Sequence, residues 1–429
     1  MDAKQLPPHP NLEQYKKQAK ELVKACKSAG GKATWAGLAS RFGFTPAQLL
    51  QRLKRYHPRL RKLPESRILN APFTLADAQW VIAREHAFDS WPKFKKYIEA
   101  SNRASSPVSK FELAADAIVS GDLATLRKLL RENPELIRAR STREHRSTLL
   151  HYVSANGVED FRQKTPRNII EITKLLLEAG ADVNAESDAY GGRSTTLGLT
   201  ATSCHPEEAG VQIPLMELLI HHGAIIDGPD GGSEVNGCLH NGRKEAAEFF
   251  ASHGARLDLE GAAGVGRLDV VKSFFNDDGT LRPSATQQQL KDGFAWACEF
   301  GRTAVVEFLL QSGVGLDAKL KHHGQTGLHW AAYGGWADTV KLLLERGARV
   351  DARDENFDGT PLEWALYEWG NSPLWAERGS YYEVVAQLVR AGAKLDPHWH
   401  EGDKERQRAL DKVRSDPRML AALRGALPR

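Results

Sequence analysis

Cysteine is scarce in this 429-residue chain, which has only Cys26, Cys204, Cys238 and Cys298. They lie far apart and form no C-x-x-C pair. That spacing argues against a disulfide framework or a cysteine-based zinc site and fits a reducing, cytoplasmic setting. Long apolar runs are also missing. Nothing approaches the roughly 18 consecutive apolar residues of a membrane span, so no membrane association is expected. The opening stretch, MDAKQLPPHPNLEQYKKQ, lacks the apolar centre of a secretory signal. No G-x-S-x-G, P-loop or kinase signature occurs. Cys238-Leu-His240, His322-His323 and His398-Trp-His400 are too few or too badly spaced to converge three or four ligands on a metal. The expectation is a chain with no metal, no cofactor and no catalytic set legible in its sequence.

Charge is abundant but uneven. Residues 1–110 carry 21 Lys and Arg against 8 Asp and Glu, whereas the whole chain balances to +4. Opposite charge on two parts of a chain points to separate units. The basic part reads as a small helical domain over residues 1–100. Asn11 caps a helix that presents Leu12, Tyr15, Ala19, Leu22 and Val23 on one face. A later helix starts near Thr74 or Asp77 and buries Trp80, Ile82, Phe88, Trp91, Phe94 and Ile98. Arg52, Lys54, Arg55, Arg59, Arg61 and Lys62 form a basic cluster that could meet phosphates, so weak nucleic-acid association stays open. The Ser-rich stretch 101–109 reads as a linker.

From residue 110 one theme recurs, clearest in QTGLHWAAYGGWADTVKLLLERGARVDARDE at 325–355. Thr326 can cap a short inner helix. Ala331 and Ala332 permit close helix contact. Val340, Leu342, Leu343 and Leu344 give an outer helix its apolar face. Gly347 ends that helix in the left-handed conformation. Diverged copies stand at 111–140, 149–186, 195–227, 235–260, 261–279, 293–318 and 359–396, some with insertions. About eight units therefore span residues 110–399. Residues 400–429 read as a closing helical cap, which a stack of repeats needs.

This pattern strongly resembles the ankyrin repeat, whose motif runs T-P-L-H-x-A-A and later V-x-x-L-L-x-x-G-A. The resemblance implies an all-α ankyrin solenoid, with helix-turn-helix repeats and short hairpin fingers, preceded here by the small helical domain. It also implies recognition of a partner through a concave groove. LPPHPNLEQYKKQAKELVKA, with LADAQWVIAREHAFDSWPKFKKYIEA, further resembles a helical leader of bacterial ankyrin-repeat proteins of unassigned function.

Aligning the copies on the glycine between their helices (Gly157, Gly242, Gly266, Gly301 and Gly335) marks the groove-facing positions. The position two before that glycine reads Ala155, Thr202, His240, Gly264, Glu299, Tyr333, Tyr367. Asn241 is a neighbour in the next column. A third column contains Trp296, Trp330 and Trp364 at 34-residue intervals. Fingers add His322, His323 and Phe357. The tryptophans suit either packing between repeats or an aromatic stripe that anchors a protein partner. The polar groups suit a partner-facing surface. His240 and Glu299 should lie roughly 20 Å apart, two repeat spacings, too far for a dyad. Glu299 with Tyr333, or Glu260 with His240, could share a small ligand.

Residues 258–271, DLEGAAGVGRLDVV, pose a separate question. Gly261 and Gly264 stand where other repeats place large side chains, and the step from Asn236 to Glu260 is only 24 residues. Either adjacent helices approach closely there or a ligand pocket opens beside Glu260, Gly261 and Gly264. The glycines imitate a dinucleotide loop but follow no strand, so phosphate binding is not expected.

Overall fold

The stretch 325–355 folds as the sequence predicts, into two antiparallel helices, Gly327–Tyr333 and Ala337–Glu345. Thr326 opens the first with a capping box closed by His329. The Thr326 amide donates to Nδ1 of His329 at 3.1 Å, so that nitrogen is the acceptor. Nε2 then carries the proton and donates to the carbonyl of Gly359 in the next repeat, also at 3.1 Å. One buried histidine thus caps its own helix and ties two repeats together. Thr148 and His151 repeat the device, with Nε2 3.2 Å from the carbonyl of Ser194. Gly335, at φ +72°, makes the turn between the helices, and Gly347, at φ +88°, ends the second. Only glycine takes that backbone region without a Cβ penalty.

This computed structural model describes residues 4–426, apart from 5, 8–9, 28–31, 37, 39–44, 46–48, 51–52, 55–56, 58, 104, 228–232, 319–323 and 372–379. Among the described residues the fold is all-α, with one short ribbon pairing Glu186–Ser187 against Ser194–Thr195. The chain divides into two units, Met1–Ile225 and Ile226–Arg429.

In the first unit, Asn11 caps the helix Leu12–Ala25 and a Thr74–Asp77 capping box opens Leu75–Glu85. Tyr15, Trp35, Ile82, Phe88, Phe94 and Ile98 are buried in a common core, with Trp80 and Trp91 packed on it half-buried. The helix Trp91–Ser101 is followed almost at once by Pro107–Ser120, capped by Ser106. The stretch read as a linker is therefore a tight turn plus the start of a helix. Four buried charges tie the helix Pro107–Ser120 to the segment 143–162, and one of them, Arg143, reaches the leader. Arg143 contacts Glu112 at 3.1 Å and pairs with Glu159, while Arg162 contacts Glu112 at 2.6 Å and Glu159 at 3.3 Å. Arg143 also reaches the Tyr97 hydroxyl and the carbonyl of His86 in the leader.

In the second unit five helix pairs follow one another. The inner helices are Glu234–His240, Leu259–Val265, Gln287–Glu299, Gly327–Tyr333 and Pro361–Asn371. Each packs on the next through small residues and leucines, so that Leu259, Phe294, Leu328 and Leu362 share one buried core. Helices Lys404–Ser415 and Pro417–Ala422 close the unit. A Cβ on Gly370 would stand 2.4 Å from the Cβ of Ala409, so these helices touch backbone to backbone.

The glycine stretch is part of this packing. Gly261 and Gly264 are buried in the helix Leu259–Val265, capped by Asp258. A Cβ on Gly264 would lie 2.5 Å from Cδ1 of Leu239, and one on Gly261 would lie 2.7 Å from Oδ1 of Asn236. On the opposite side, Gly293 of the next inner helix faces Ala263 and the backbone of Leu259 and Glu260. The space above both glycines is filled by the preceding repeat. The ligand pocket considered for Glu260, Gly261 and Gly264 is closed there by Leu239 and Asn236.

Candidate functional site

The finger before the last inner helix is built on one carboxylate. Asp354 accepts from the backbone amides of Asn356, Phe357 and Gly359 at 2.8–2.9 Å. It also accepts from the indole nitrogen of Trp364 at 3.0 Å. Burial pushes its carboxyl up, but these bonds outweigh that effect and hold it below its ordinary value. Asp354 therefore fixes both the loop that presents Phe357 and the orientation of the Trp364 ring.

Around Trp364 the aromatic residues converge. Its ring lies 5.5 Å from Trp330, 5.6 Å from Tyr333 and 6.2 Å from Phe357, all edge to face. Such pairs add roughly 0.5–1.5 kcal/mol each beyond area burial. Together with Tyr367 and Trp399 they line a cavity of about 350 Å³. Its polar lining is Glu363, Asp403, Glu405 and Arg406. The Tyr367 hydroxyl donates to Glu405, and with burial this pushes its phenol up to about 12. Phe357 is 53% exposed and forms an open lip. The indole nitrogen of Trp330 is buried with no acceptor among the described residues.

Five of the residues singled out in the sequence thus meet at one place: Trp330, Tyr333, Phe357, Trp364 and Tyr367. The others do not join them. Trp296 is buried and takes His240 against its ring edge at 4.8 Å. Asn241 is exposed and bonds back to the carbonyl of Gly237 at 2.9 Å. Glu260 is half-buried on its own helix. His322 and His323 lie outside the described residues.

Glu299 is half-buried, and burial together with the charge of Glu368 pushes its carboxyl up to about 8. Tyr333 hydrogen-bonds Glu368 through its phenol, and Tyr381 donates to the backbone oxygen of Tyr333 at 2.6 Å. The Glu299 and Tyr333 pairing considered from the sequence is therefore mediated by Glu368. That residue occupies the groove position adjacent to Tyr367, and only the three-dimensional packing places it between the two. Trp336 was also missed. Its indole nitrogen donates to the Glu299 carbonyl and its ring covers Gly301 and Gly334. The sequence signal was partial, in the Gly334-Gly335 pair that immediately precedes it.

The basic cluster of the leader is partly engaged by its own domain. Arg59 makes two bonds to Asp77, at 2.8 and 2.9 Å, and Lys54 donates to the carbonyl of Leu63. Arg61 and Lys62 are exposed, and Arg52 and Arg55 lie outside the described residues. A second cavity of about 300 Å³, lined by Leu6, Tyr97, Glu112, Arg143 and Arg162 among others, sits against the buried charge network.

Paired helices joined by left-handed glycines, with loops extending from each pair, define a helical-repeat protein. Residues 294–398 match the family model for ankyrin repeats in three copies, so this stretch carries ankyrin repeats. Among solved structures, the ankyrin repeat domain of human ASB11 is similar at 20% identity and a TM-score of 0.32. That match covers 66% of this chain and 99% of the other. No curated protein matches the chain. No helix among the described residues is long and apolar enough to cross a membrane.

Proposed function

We propose that this protein is a binding module that recognises a protein partner through the aromatic cavity at Trp330, Phe357, Trp364 and Tyr367. One observation carries the reading: five aromatic residues from two successive repeats converge on a preformed cavity of about 350 Å³ with an exposed phenylalanine at its lip. Preformed, mostly apolar cavities of this size with a few polar groups are the usual form of recognition sites. Buried aromatic anchors supply most of the energy at protein interfaces. The mechanism is shape and side-chain recognition without bond chemistry.

The reading places the chain in a reducing compartment such as the cytoplasm. No disulfide joins the four cysteines among the described residues, and Cys26, Cys238 and Cys298 are buried among apolar side chains.

The test is affinity purification from cell extract with the wild-type chain and with Trp330→Ala and Phe357→Ala. Proteins retained by the wild type and lost by both variants, at unchanged helical content, support the reading. Identical retention by all three chains refutes it.

A further inference from the structure

The cavity carries an unbalanced charge. Among the described residues three carboxylates line it, Glu363, Asp403 and Glu405, against one guanidinium, Arg406. Arg406 is already committed. It donates to the carbonyl of Phe357 at 2.9 Å and that of Trp399 at 3.3 Å, and lies 3.7 Å from Asp403. The carboxylates are held in place by the fold. Glu363 accepts from the Thr360 amide at 2.8 Å, and Asp403 caps the last long helix through the Glu405 and Arg406 amides. Glu405 takes the Tyr367 hydroxyl. A carboxylate accepts about four hydrogen bonds, so each keeps lone pairs free.

Aromatic faces carry the negative end of a quadrupole and attract cations within roughly 6 Å of the ring centre. Rings and carboxylates together repel an anion and give a neutral side chain nothing beyond burial. A positively charged group gains from both.

We infer that the ligand of this cavity is an alkylammonium group, presented as a lysine side chain by an extended segment of the partner. The inference rests on the binding reading above and specifies its chemistry. The four-carbon stem of lysine packs along the indoles of Trp330 and Trp364, as such stems do on apolar surface, while the charged head reaches Asp403 and Glu405. The exposed Phe357 lip leaves room for the segment that carries the lysine.

The test titrates the full-length chain and follows its tryptophan fluorescence. The probes are two synthetic peptides identical except that one carries lysine and the other norleucine, which has the same stem without the charge. Choline and its neutral isostere 3,3-dimethylbutan-1-ol form a second pair. The lysine peptide is expected to bind at least about fivefold tighter than the norleucine peptide, with the margin shrinking as salt is raised. Phe357→Ala and Glu405→Gln should each weaken the lysine peptide by about three- to tenfold, and Glu405→Gln should leave the norleucine peptide unchanged. Equal binding of the two peptides, both lost in Phe357→Ala, overturns the charge inference and leaves the cavity as a binding site. Choline binding without peptide binding overturns the assignment to a protein-borne group. Lysine-peptide binding that survives both substitutions, or no binding by any probe, overturns the inference itself. Whether a partner is captured at all is decided separately by the purification above.

Discussion

Replacing Glu299 by Gln should stabilise this protein at neutral pH, although it removes a charged residue from a repeat. In the folded chain the Glu299 carboxyl is pushed from its ordinary 4.5 up to about 8. The first cause is burial and the second is the charge of Glu368, and both act in the same direction. At pH 7 the folded state therefore holds a proton that the unfolded chain has released. Below about pH 4.5 both states are protonated and the site has no effect on stability. Between about 4.5 and 8 stability declines by up to roughly 1.4 kcal/mol per pH unit, and above 8 the loss is constant. The full shift would amount to roughly 4 kcal/mol by pH 8. Residual solvent contact and the response of Glu368 reduce it, so about 1–3 kcal/mol is expected. Glutamine has the same shape and no charge. Glu299→Gln should match the wild type in urea unfolding near pH 4.5 and exceed it by about 1–3 kcal/mol near pH 8. A variant less stable than wild type near pH 8, or a difference that does not change with pH, would refute the reasoning.

Other substitutions test other contacts. Gly264→Ala brings a methyl against Leu239 and should cost about 1–3 kcal/mol in urea unfolding. In a double-mutant cycle with Leu239→Ala the two losses should be less than additive, and strict additivity would contradict the contact. Gly347→Ala meets no neighbouring atom, so its expected loss of about 1–2 kcal/mol comes from the backbone at φ +88° alone. Arg162→Met leaves Glu112 and Glu159 with Arg143 as their one remaining guanidinium, and should cost about 3–5 kcal/mol. A neutral outcome on thermal unfolding would mean that the network is solvated. Phe357→Ala should cost only about 0.5–1 kcal/mol of stability, because the ring is half exposed and keeps one edge contact with Trp364, while weakening partner capture.

The repeat itself was legible because it is written in periodic, local chemistry. Thr326, the alanines and Gly347 each specify a conformation of their own few residues, and the structure places all of them as read. The caps at Asn11 and Thr74 were legible for the same reason. Of the positions taken from the glycine alignment, Trp330, Tyr333, Trp364 and Tyr367 line one cavity. The alignment did not reveal that Trp296 turns into the packing against His240. The 34-residue interval makes these tryptophans equivalent in register, but burial depends on what the next repeat places over each one. Trp399, Asp403, Glu405 and Arg406 were not legible as a site, because they follow the last repeat in a segment without its periodicity. The question at Gly261 and Gly264 had two readings because a missing side chain looks the same in sequence whether a leucine or a ligand fills the gap. Leu239 fills it.

The helix Lys404–Ser415 is seated on the last repeat through Gly370 and Ala409, and it supplies one wall of the aromatic cavity. The stretch that matches the ankyrin model ends at residue 398, just before that wall begins. What the cavity accepts is thus written half in a recurring module and half in a unique tail. Exchanging the tail would retune selectivity while every repeat kept its sequence.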